Sequence, residues 1–236
     1  MRVLLIEPAK SPVTIGGEDV FLFEPLALEY VAAGVAEHHD VRILDMRIEN
    51  SLEETLADFE PDVVGVTAYT VHVKPVRRLC QQVKAWNPEV LTVVGGHHAT
   101  VASGDFVSPD IDLVVRGEGV EPFRQIMARL ERGRGFGAIA GVAVRMGDRL
   151  VSGPEQANGD LDDAPMPRRS LTMGYRGEYY SEWLKPLASM RTSKGCPFRC
   201  SFCAQWKTAR GRYLRRGVES VSYTHLRAHE TALRIS

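Results

Sequence analysis

The chain has 236 residues, of which 44% are hydrophobic and 25% charged, enough apolar material for a well-buried core. No apolar run approaches the roughly 20 residues needed to span a bilayer, so the sequence predicts a cytoplasmic protein without a membrane span. The four cysteines are too few and too clustered for a disulfide framework, which fits a reducing compartment.

The net charge of −1 conceals an uneven distribution of charge. Residues 1–165 carry 15 Lys and Arg against 26 Asp and Glu, whereas residues 166–221 carry 12 against 3. A basic surface is compatible with nucleic acid, but no nucleic-acid recognition motif accompanies this one. We therefore expect the basic part to face an anionic cofactor, and nucleic acid is not an expected partner.

The first 135 residues alternate short apolar runs with helical patterns. Val-, Leu- and Ile-rich runs predict strands buried on both faces of a parallel sheet, over Arg2–Ile6, Val41–Leu44, Val63–Thr67, Leu91–Val94 and Leu113–Val115. Helices are predicted between and after them, over Pro25–Glu37, Leu52–Phe59, Pro75–Trp86, Val101–Phe106 and Glu121–Glu131. This order predicts an α/β fold with a doubly wound, five-stranded parallel sheet of the Rossmann or flavodoxin-like kind.

Ligands of doubly wound sheets bind beyond the carboxyl ends of the strands, and the residues there are small or polar. Thr67 and Thr70 follow the third strand, Gly95-Gly96-His97 follows the fourth, and Gly117-Glu118 follows the fifth. Paired glycines allow a ligand to approach the backbone closely. Cys80, by contrast, lies on the apolar face of its predicted helix and is expected in the core.

The stretch after residue 135 contains different signals. Val142–Arg145 and Arg149–Val151 predict a β-hairpin, and residues 153–167 are rich in Gly, Pro, Asp and Asn, which predicts a linker. We therefore place a first domain at residues 1–135, the hairpin and linker at 136–167, and the start of a second domain at 168–221. The aromatic residues expected to pack between the two domains are Tyr175, Tyr179, Tyr180 and Trp183.

Three cysteines, Cys196, Cys200 and Cys203, are spaced Cys-x3-Cys-x2-Cys directly after an apolar run, 187–192, that predicts a strand. Thiolates are soft ligands that suit iron–sulfur clusters or zinc. Structural zinc sites normally have four protein ligands, whereas three thiolates on a [4Fe–4S] cluster leave one iron open. The sequence leaves both metals as alternatives at this point, zinc in a nucleic-acid binder being the rival.

With Phe202 before its last cysteine, this motif resembles the signature of the radical S-adenosylmethionine (SAM) enzymes. The resemblance implies a [4Fe–4S] cluster held by Cys196, Cys200 and Cys203, with SAM chelated to the open iron and Phe202 near its adenine. It also implies reductive cleavage of SAM to a 5′-deoxyadenosyl radical, with an electron donor such as flavodoxin or ferredoxin.

The N-terminal loops resemble the cobalamin-binding domain that precedes the radical SAM (β/α) barrel in one large subfamily. The resemblance implies that cobalamin is bound by Thr67, Thr70, Gly95, Gly96, His97, Gly117 and Glu118. One departure concerns the loop of residues 7–17, which lacks the histidine of the cobalt-ligating Asp-x-His-x-x-Gly motif. Axial ligation from that loop is excluded, and His72 is the alternative.

Together the two resemblances imply a cobalamin-dependent radical SAM enzyme with a small-molecule substrate, which methylates an unactivated carbon. The alternatives are an oxidative ring-forming cyclase like the anaerobic magnesium-protoporphyrin ester cyclase and a corrinoid-binding module without catalysis. Only 33 residues follow Cys203, so we expect a fragment that ends shortly after the motif, with a poorly ordered barrel start from Arg168 onward. Residues 222–236 lack an apolar stripe and are expected to be a non-native tail.

Overall fold

Seven strands form one sheet in the computed structural model, which describes residues 1–11, 20–157 and 159–222. These strands are β1 Arg2–Glu7, β2 Asp40–Asp45, β3 Val63–Thr67, β4 Leu91–Gly95, β5 Leu113–Val115, β6 Val142–Met146 and β7 Arg149–Ser152. The α-helices among and after them are α1 Leu26–Ala33, α2 Leu52–Phe59, α3 Val73–Trp86, α4 His97–Val101, α5 Val120–Glu131 and α6 Gln205–Thr208. Segments of 3₁₀ helix lie at Thr70–His72, Ser103–Phe106 and Arg169–Glu178.

The strand order is β2-β1-β3-β4-β5-β6-β7, and the first five strands are parallel. This arrangement confirms the predicted α/β sheet of five parallel strands. The predicted hairpin is also present, but it is part of the same sheet, because Val142 of β6 pairs antiparallel with Val115 of β5. The sheet therefore continues beyond residue 135, where the sequence had predicted the first domain to end.

Both faces of the sheet are buried, since alternate residues of a strand point to opposite faces. On one face, Leu4 and Ile6 of β1 belong to a core that also contains Cys80 and other residues of α2 and α3. On the other face, Val3 and Leu5 pack in a core with residues of α1 and α5. The continuous apolar runs of the strands follow from this burial on two sides.

One predicted helix begins earlier than expected. In place of a helix over 101–106, α4 begins at His97, directly after β4, and a 3₁₀ turn covers Ser103–Phe106. Gly96 makes this sharp start feasible, because its φ of +98° lies in the region that favours glycine. The loop after β4 is therefore only one residue long.

The strand predicted over 187–192 is wrong in position. A three-residue strand, β8 Ser193–Gly195, follows that run and pairs antiparallel with β9 Tyr213–Arg215. The preceding backbone is used elsewhere: the carbonyls of Leu187 and Ser189 accept hydrogen bonds from Arg176 and Arg169, respectively. These bonds hold the run against a buried ion network, so it has no partner strand.

The segment from Arg168 to Tyr180 packs on the first domain, which corrects the expectation that it is poorly ordered. Arg176 is only 1% exposed and its Nη1 lies 2.6 Å from Glu24 Oε2, while Arg169 also pairs with Glu24. The Tyr179 hydroxyl lies 3.2 Å from Asp45 Oδ2. Trp183 is 85% exposed, so its predicted role at the interface is wrong in this structure.

No helix within residues 1–11, 20–157 and 159–222 is long and apolar enough to cross a membrane. The tail predicted over 222–236 lies outside the described residues apart from Ser222.

Candidate functional site

A cavity of about 310 Å³ opens at the carboxyl ends of β3, β4 and β5. It lies on the side of the sheet covered by α1 and α5, whose Leu28 and Phe123 contribute to its wall. Gly65 of β3 forms part of its floor, where an added Cβ would lie 2.8 Å from Leu5 Cδ2 and 3.4 Å from the Phe123 ring. The absence of a side chain therefore lets Leu5 and Phe123 pack close to β3 at the bottom of the cavity.

Six of the seven residues predicted to bind the N-terminal ligand line this one cavity. They are Thr67, Gly95, Gly96, His97, Gly117 and Glu118. They come from three consecutive loops, which parallel pairing of β3, β4 and β5 brings to the same sheet edge. Thr100 links two of these loops, because its Oγ1 donates to the Gly96 carbonyl and accepts from the Gly117 amide, both at 2.9 Å.

Thr70 is the exception among the predicted residues, since it does not line the cavity. Its hydroxyl lies 3.0 Å from His98 Nδ1, and His98 Nε2 lies 2.8 Å from Asp105 Oδ2. This chain of hydrogen bonds ties the loop after β3 to the turn after α4. In this structure Thr70 positions loops rather than contacting the cavity.

The two glycines after β4 serve different purposes. A Cβ on Gly96 would lie 2.6 Å from Thr67 Oγ1 and 2.7 Å from the Ala68 nitrogen, so the close approach is of the protein to itself. A Cβ on Gly95 would lie 3.8 Å from Val115 Cβ, which is an ordinary contact. Gly96 is thus required by the fold, whereas Gly95 leaves space that a ligand can occupy.

His97 is the histidine that lines the cavity in the described part of the chain. Its ring stacks on Tyr69 with 6.2 Å between ring centroids. Burial, followed by the charges of His98 and Lys194, lowers the pKa of His97, so the ring is neutral at pH 7. His72 is buried and lies outside the cavity wall, and burial beside Arg47 lowers its pKa also.

Glu118 stands at the mouth of the cavity and contacts the segment that carries the cysteine motif. Lys194 Nζ hydrogen-bonds Glu118 Oε1, and Arg191 Nη2 lies 3.5 Å from Glu118 Oε2. Burial alone would raise the pKa of Glu118, but the positive charges of Lys194 and Arg191 outweigh it and lower the pKa below its usual value. Glu118 is therefore a carboxylate at neutral pH.

A second cavity of about 180 Å³ adjoins the first and shares Glu118 and Lys194 with it. Its wall is more polar and includes Arg116, Lys207 and Arg210. The first cavity is thus the more apolar and lies against the sheet. The second is lined by cationic side chains, among them Lys194, Lys207 and Arg210 from the part of the chain that carries the three cysteines.

Several wall residues were missed by sequence reasoning, namely Tyr30, Gly65, Thr100, Phe123, Arg191 and Lys194. Gly65 carried a usable signal, because an isolated glycine inside a strand marks a close approach or a gap. Tyr30 and Phe123 read as ordinary core residues of helices. Arg191 and Lys194 are remote in sequence, and their place at the cavity follows only from how the chain folds back.

The three cysteines of the motif are not gathered into one site. Cys196 and Cys203 are half-buried and Cys200 is exposed. Within the described ranges, no group of three or more His, Cys, Asp or Glu side chains is arranged to hold a metal ion. Thiols suit an iron–sulfur cluster chemically, but the arrangement seen here does not fit one.

Phe202 and Cys80 differ sharply in their surroundings. Phe202 is 92% exposed, so the described residues form no adenine pocket around it. Cys80 is fully buried in α3, and burial raises the pKa of its thiol to about 12. Its predicted place in the core is confirmed.

The fold and the cavity define a class of protein: a doubly wound α/β domain with a cavity at the carboxyl edge of its sheet, the place where such folds bind their ligands. Residues 12–127 match the family model of the B12 binding domain. The chain belongs to the B12-binding-domain radical SAM proteins.

Known relatives agree with this assignment. The chain is 34% identical over 214 residues to hopanoid C-3 methylase from Methylococcus capsulatus, an alignment covering 87% of this chain and 40% of that protein. It is 30% identical over 219 residues to the anaerobic magnesium-protoporphyrin IX monomethyl ester cyclase of Rubrivivax gelatinosus, covering 88% and 39%, respectively. The chain thus spans about two fifths of the length of these relatives.

A solved structure shares the fold. The cobalamin-dependent S-adenosylmethionine radical enzyme OxsB, with aqua-cobalamin and S-adenosylmethionine bound, superposes with a TM-score of 0.76 at 16% identity. The match covers 99% of this chain and 31% of that one.

Proposed function

We propose that this chain binds cobalamin, with the nucleotide tail of the cofactor in the 310 Å³ cavity above Gly65. One observation carries the proposal: six residues from three loops, which the resemblance implies as cobalamin contacts, line a single cavity. All six lie within residues 12–127, the part of the chain that matches the B12 binding domain. Gly95 and Gly117 would border the tail, and His97 would face it as a neutral ring.

We further propose that the activity is that of a cobalamin-dependent radical SAM methyltransferase acting on an unactivated carbon of a small molecule. Cobalamin, when bound, would supply a carrier for the methyl group. The similarity to hopanoid C-3 methylase supports methyl transfer. Cys196, Cys200 and Cys203 remain the proposed ligands of a [4Fe–4S] cluster, with Phe202 beside SAM and flavodoxin or ferredoxin as the electron donor. Their thiols are not gathered into one site among the described residues.

Ring-forming cyclisation is the second candidate function. It is favoured by a specific observation, the similarity over 219 residues to the anaerobic magnesium-protoporphyrin IX monomethyl ester cyclase. The two reactions differ in what they leave behind. Methyl transfer from SAM produces S-adenosylhomocysteine, whereas cyclisation leaves the methyl group on its sulfur.

The test of cobalamin binding uses the full chain and hydroxocobalamin. Protein and cofactor are mixed, and unbound cofactor is removed by gel filtration. The absorbance spectrum of the recovered protein then gives the amount of bound cobalamin. We expect one cobalamin to remain on each chain. Recovery of folded protein that carries no cobalamin would refute the proposal.

The test of the cysteines is anaerobic reconstitution with iron and sulfide. Loss of bound iron in Cys196→Ala, Cys200→Ala and Cys203→Ala, but not in Cys80→Ala, is the expected result. Cys80→Ala is the matched control because that thiol is buried away from the motif. Iron retained in full by the motif variants would contradict the assignment.

A further inference from the structure

The contacts at the mouth of the cavity join two parts of the chain that are far apart in sequence. Glu118 is held in place from its own side, because its amide donates to Gln156 Oε1 at 2.8 Å and its carbonyl accepts from Gln156 Nε2 at 3.1 Å. From the other side, Lys194 and Arg191 both reach its carboxylate. The Glu118 carboxylate thus pairs with two cationic side chains of the cysteine segment, defined here as residues 191–216.

Tyr30 of α1 provides a second point of attachment for the same segment. The guanidinium carbons of Arg191 and Arg216 lie 4.9 Å and 5.4 Å from the centre of its ring, and Arg216 Nη2 lies 3.3 Å from its hydroxyl. Arg191 lies just before β8 and Arg216 directly follows β9, so both strands of the antiparallel pair are attached to α1 at the same end of the sheet. Cation–π contacts of this kind strengthen when they are shielded from water, and Tyr30 is buried.

The attachment reaches the cysteines through a short and stiff connection. Lys194 is two residues before Cys196, and the residue between them is Gly195. Gly195 has a φ of +84°, and a Cβ there would collide with the Arg212 carbonyl and with Ala209. The backbone that leads into the motif is therefore packed tightly against the rest of the segment.

The same side chains also form the wall of the cavity. Tyr30, Glu118, Arg191 and Lys194 all line it. A ligand that fills the cavity contacts Arg191 and Lys194 only while the segment is docked, so ligand binding and docking stabilise each other. Long-range charge favours the same arrangement, because residues 1–165 are net acidic and residues 166–221 net basic.

We propose that Glu118 is a positioning residue that holds the cysteine segment over the ligand cavity through Lys194 and Arg191. The ligand and the cysteine motif are thereby kept side by side. The identity of the ligand as cobalamin rests on the proposed function, but the positioning role does not.

The test is limited trypsin digestion of the full unliganded chain, with initial cleavage rates read by mass spectrometry. Trypsin must capture a free Lys or Arg side chain, and those of Lys194 and Arg191 are engaged by Glu118. In Glu118→Gln we expect cleavage after both residues to accelerate about tenfold, since losing a partly shielded charged hydrogen bond shifts a local equilibrium by roughly that factor. Cleavage after Arg199, which is exposed and not paired with Glu118, serves as the internal reference.

Three further variants separate positioning from general destabilisation. Glu118→Asp retains the charge and should restore most of the protection. Glu121→Gln removes an exposed carboxylate one turn away, which pairs with Arg124, and should change nothing. Lys194→Gln combined with Glu118→Gln should accelerate cleavage after Arg191 by less than the product of the single effects, because the two side chains act on one contact. Resistance of Cys80 to alkylation confirms that each variant is folded.

Adding hydroxocobalamin completes the experiment. Wild-type cleavage after Lys194 should slow further, because a ligand that favours the docked segment lowers the population of its undocked form. Through docking alone, the affinity of Glu118→Gln for cobalamin should fall only in proportion to the fraction of chains whose segment is docked. Unchanged cleavage in unliganded Glu118→Gln would overturn the positioning role, whatever cobalamin does. If the wild-type chain binds no cobalamin while the unliganded result holds, the proposed function fails and the positioning role stands.

Discussion

Replacement of Gly95 by leucine should separate the stability of the fold from its capacity to bind cobalamin. Gly95 ends β4, and an added Cβ would meet Val115 at 3.8 Å and 4.0 Å, within ordinary contact distance. Its φ is not in the left-handed region, so a side chain introduces no backbone strain. The leucine side chain would extend into the cavity of about 310 Å³.

The two expected effects have opposite signs. Filling an apolar cavity stabilises the unliganded protein by up to about 2 kcal/mol, at about 0.8 kcal/mol per buried methylene with allowance for imperfect fit. A ligand forced into the same space meets an overpacked site, which costs about 1–3 kcal/mol. Because about 1.4 kcal/mol corresponds to a factor of ten, the dissociation constant for cobalamin should rise roughly ten- to hundredfold.

Urea denaturation gives the free energy of unfolding of the unliganded protein. An absorbance titration with hydroxocobalamin gives the dissociation constant. Gly96→Ala is the matched control, because its φ of +98° and its contacts with Thr67 and Ala68 make it a folding defect. That variant should lose stability as well as affinity. A folded Gly95→Leu protein that binds cobalamin as tightly as the wild type would refute the assignment of this cavity to the cofactor.

Three other predictions concern the core and the buried ion network. Burial, reinforced by Glu24, raises the pKa of Glu29 to about 7, so its neutral form is favoured in the fold. The free energy of unfolding should therefore fall as pH rises from about 4.5 to 7, by on the order of 3 kcal/mol, and urea unfolding across this range should show a flatter profile in Glu29→Gln. Arg176→Met leaves Glu24 with one cation fewer in a buried site and should cost about 3 kcal/mol, whereas the exposed Arg168→Met, measured alongside, should cost little. Cys80→Ala should lower the free energy of unfolding by about 1 kcal/mol, through lost packing, without changing cobalamin binding; a loss of binding would mean that Cys80 is more than a core residue.

The central sheet was predictable because its signals are local. Strands buried on two faces must be apolar at nearly every position, and this makes runs such as Val63–Thr67 stand out from helical patterns. The residues at the carboxyl ends of those strands were predictable for a related reason. Parallel pairing brings consecutive strand ends to one edge, so Thr67, Gly95 and Gly117 had to lie near one another.

The errors came from contacts between residues remote in sequence. The run 187–192 is apolar enough for a strand, yet its backbone carbonyls are bound by Arg169 and Arg176. From the sequence, those two arginines were predicted to belong to a basic surface. In the structure they are buried against Glu24. Nothing in the spacing of residues along the chain indicates such a pairing over more than 140 positions.

The sequence by itself determined the class of fold and the edge of the sheet at which the cavity opens. Each of these depends on residue type and local period, which a single chain displays directly. Only the tertiary structure decided which glycine leaves room for a ligand, since Gly95 and Gly96 are identical neighbours whose backbone angles and surroundings differ. It also decided that Glu118 faces Lys194, because a contact between a loop and a short strand 76 residues apart is fixed by how whole elements pack.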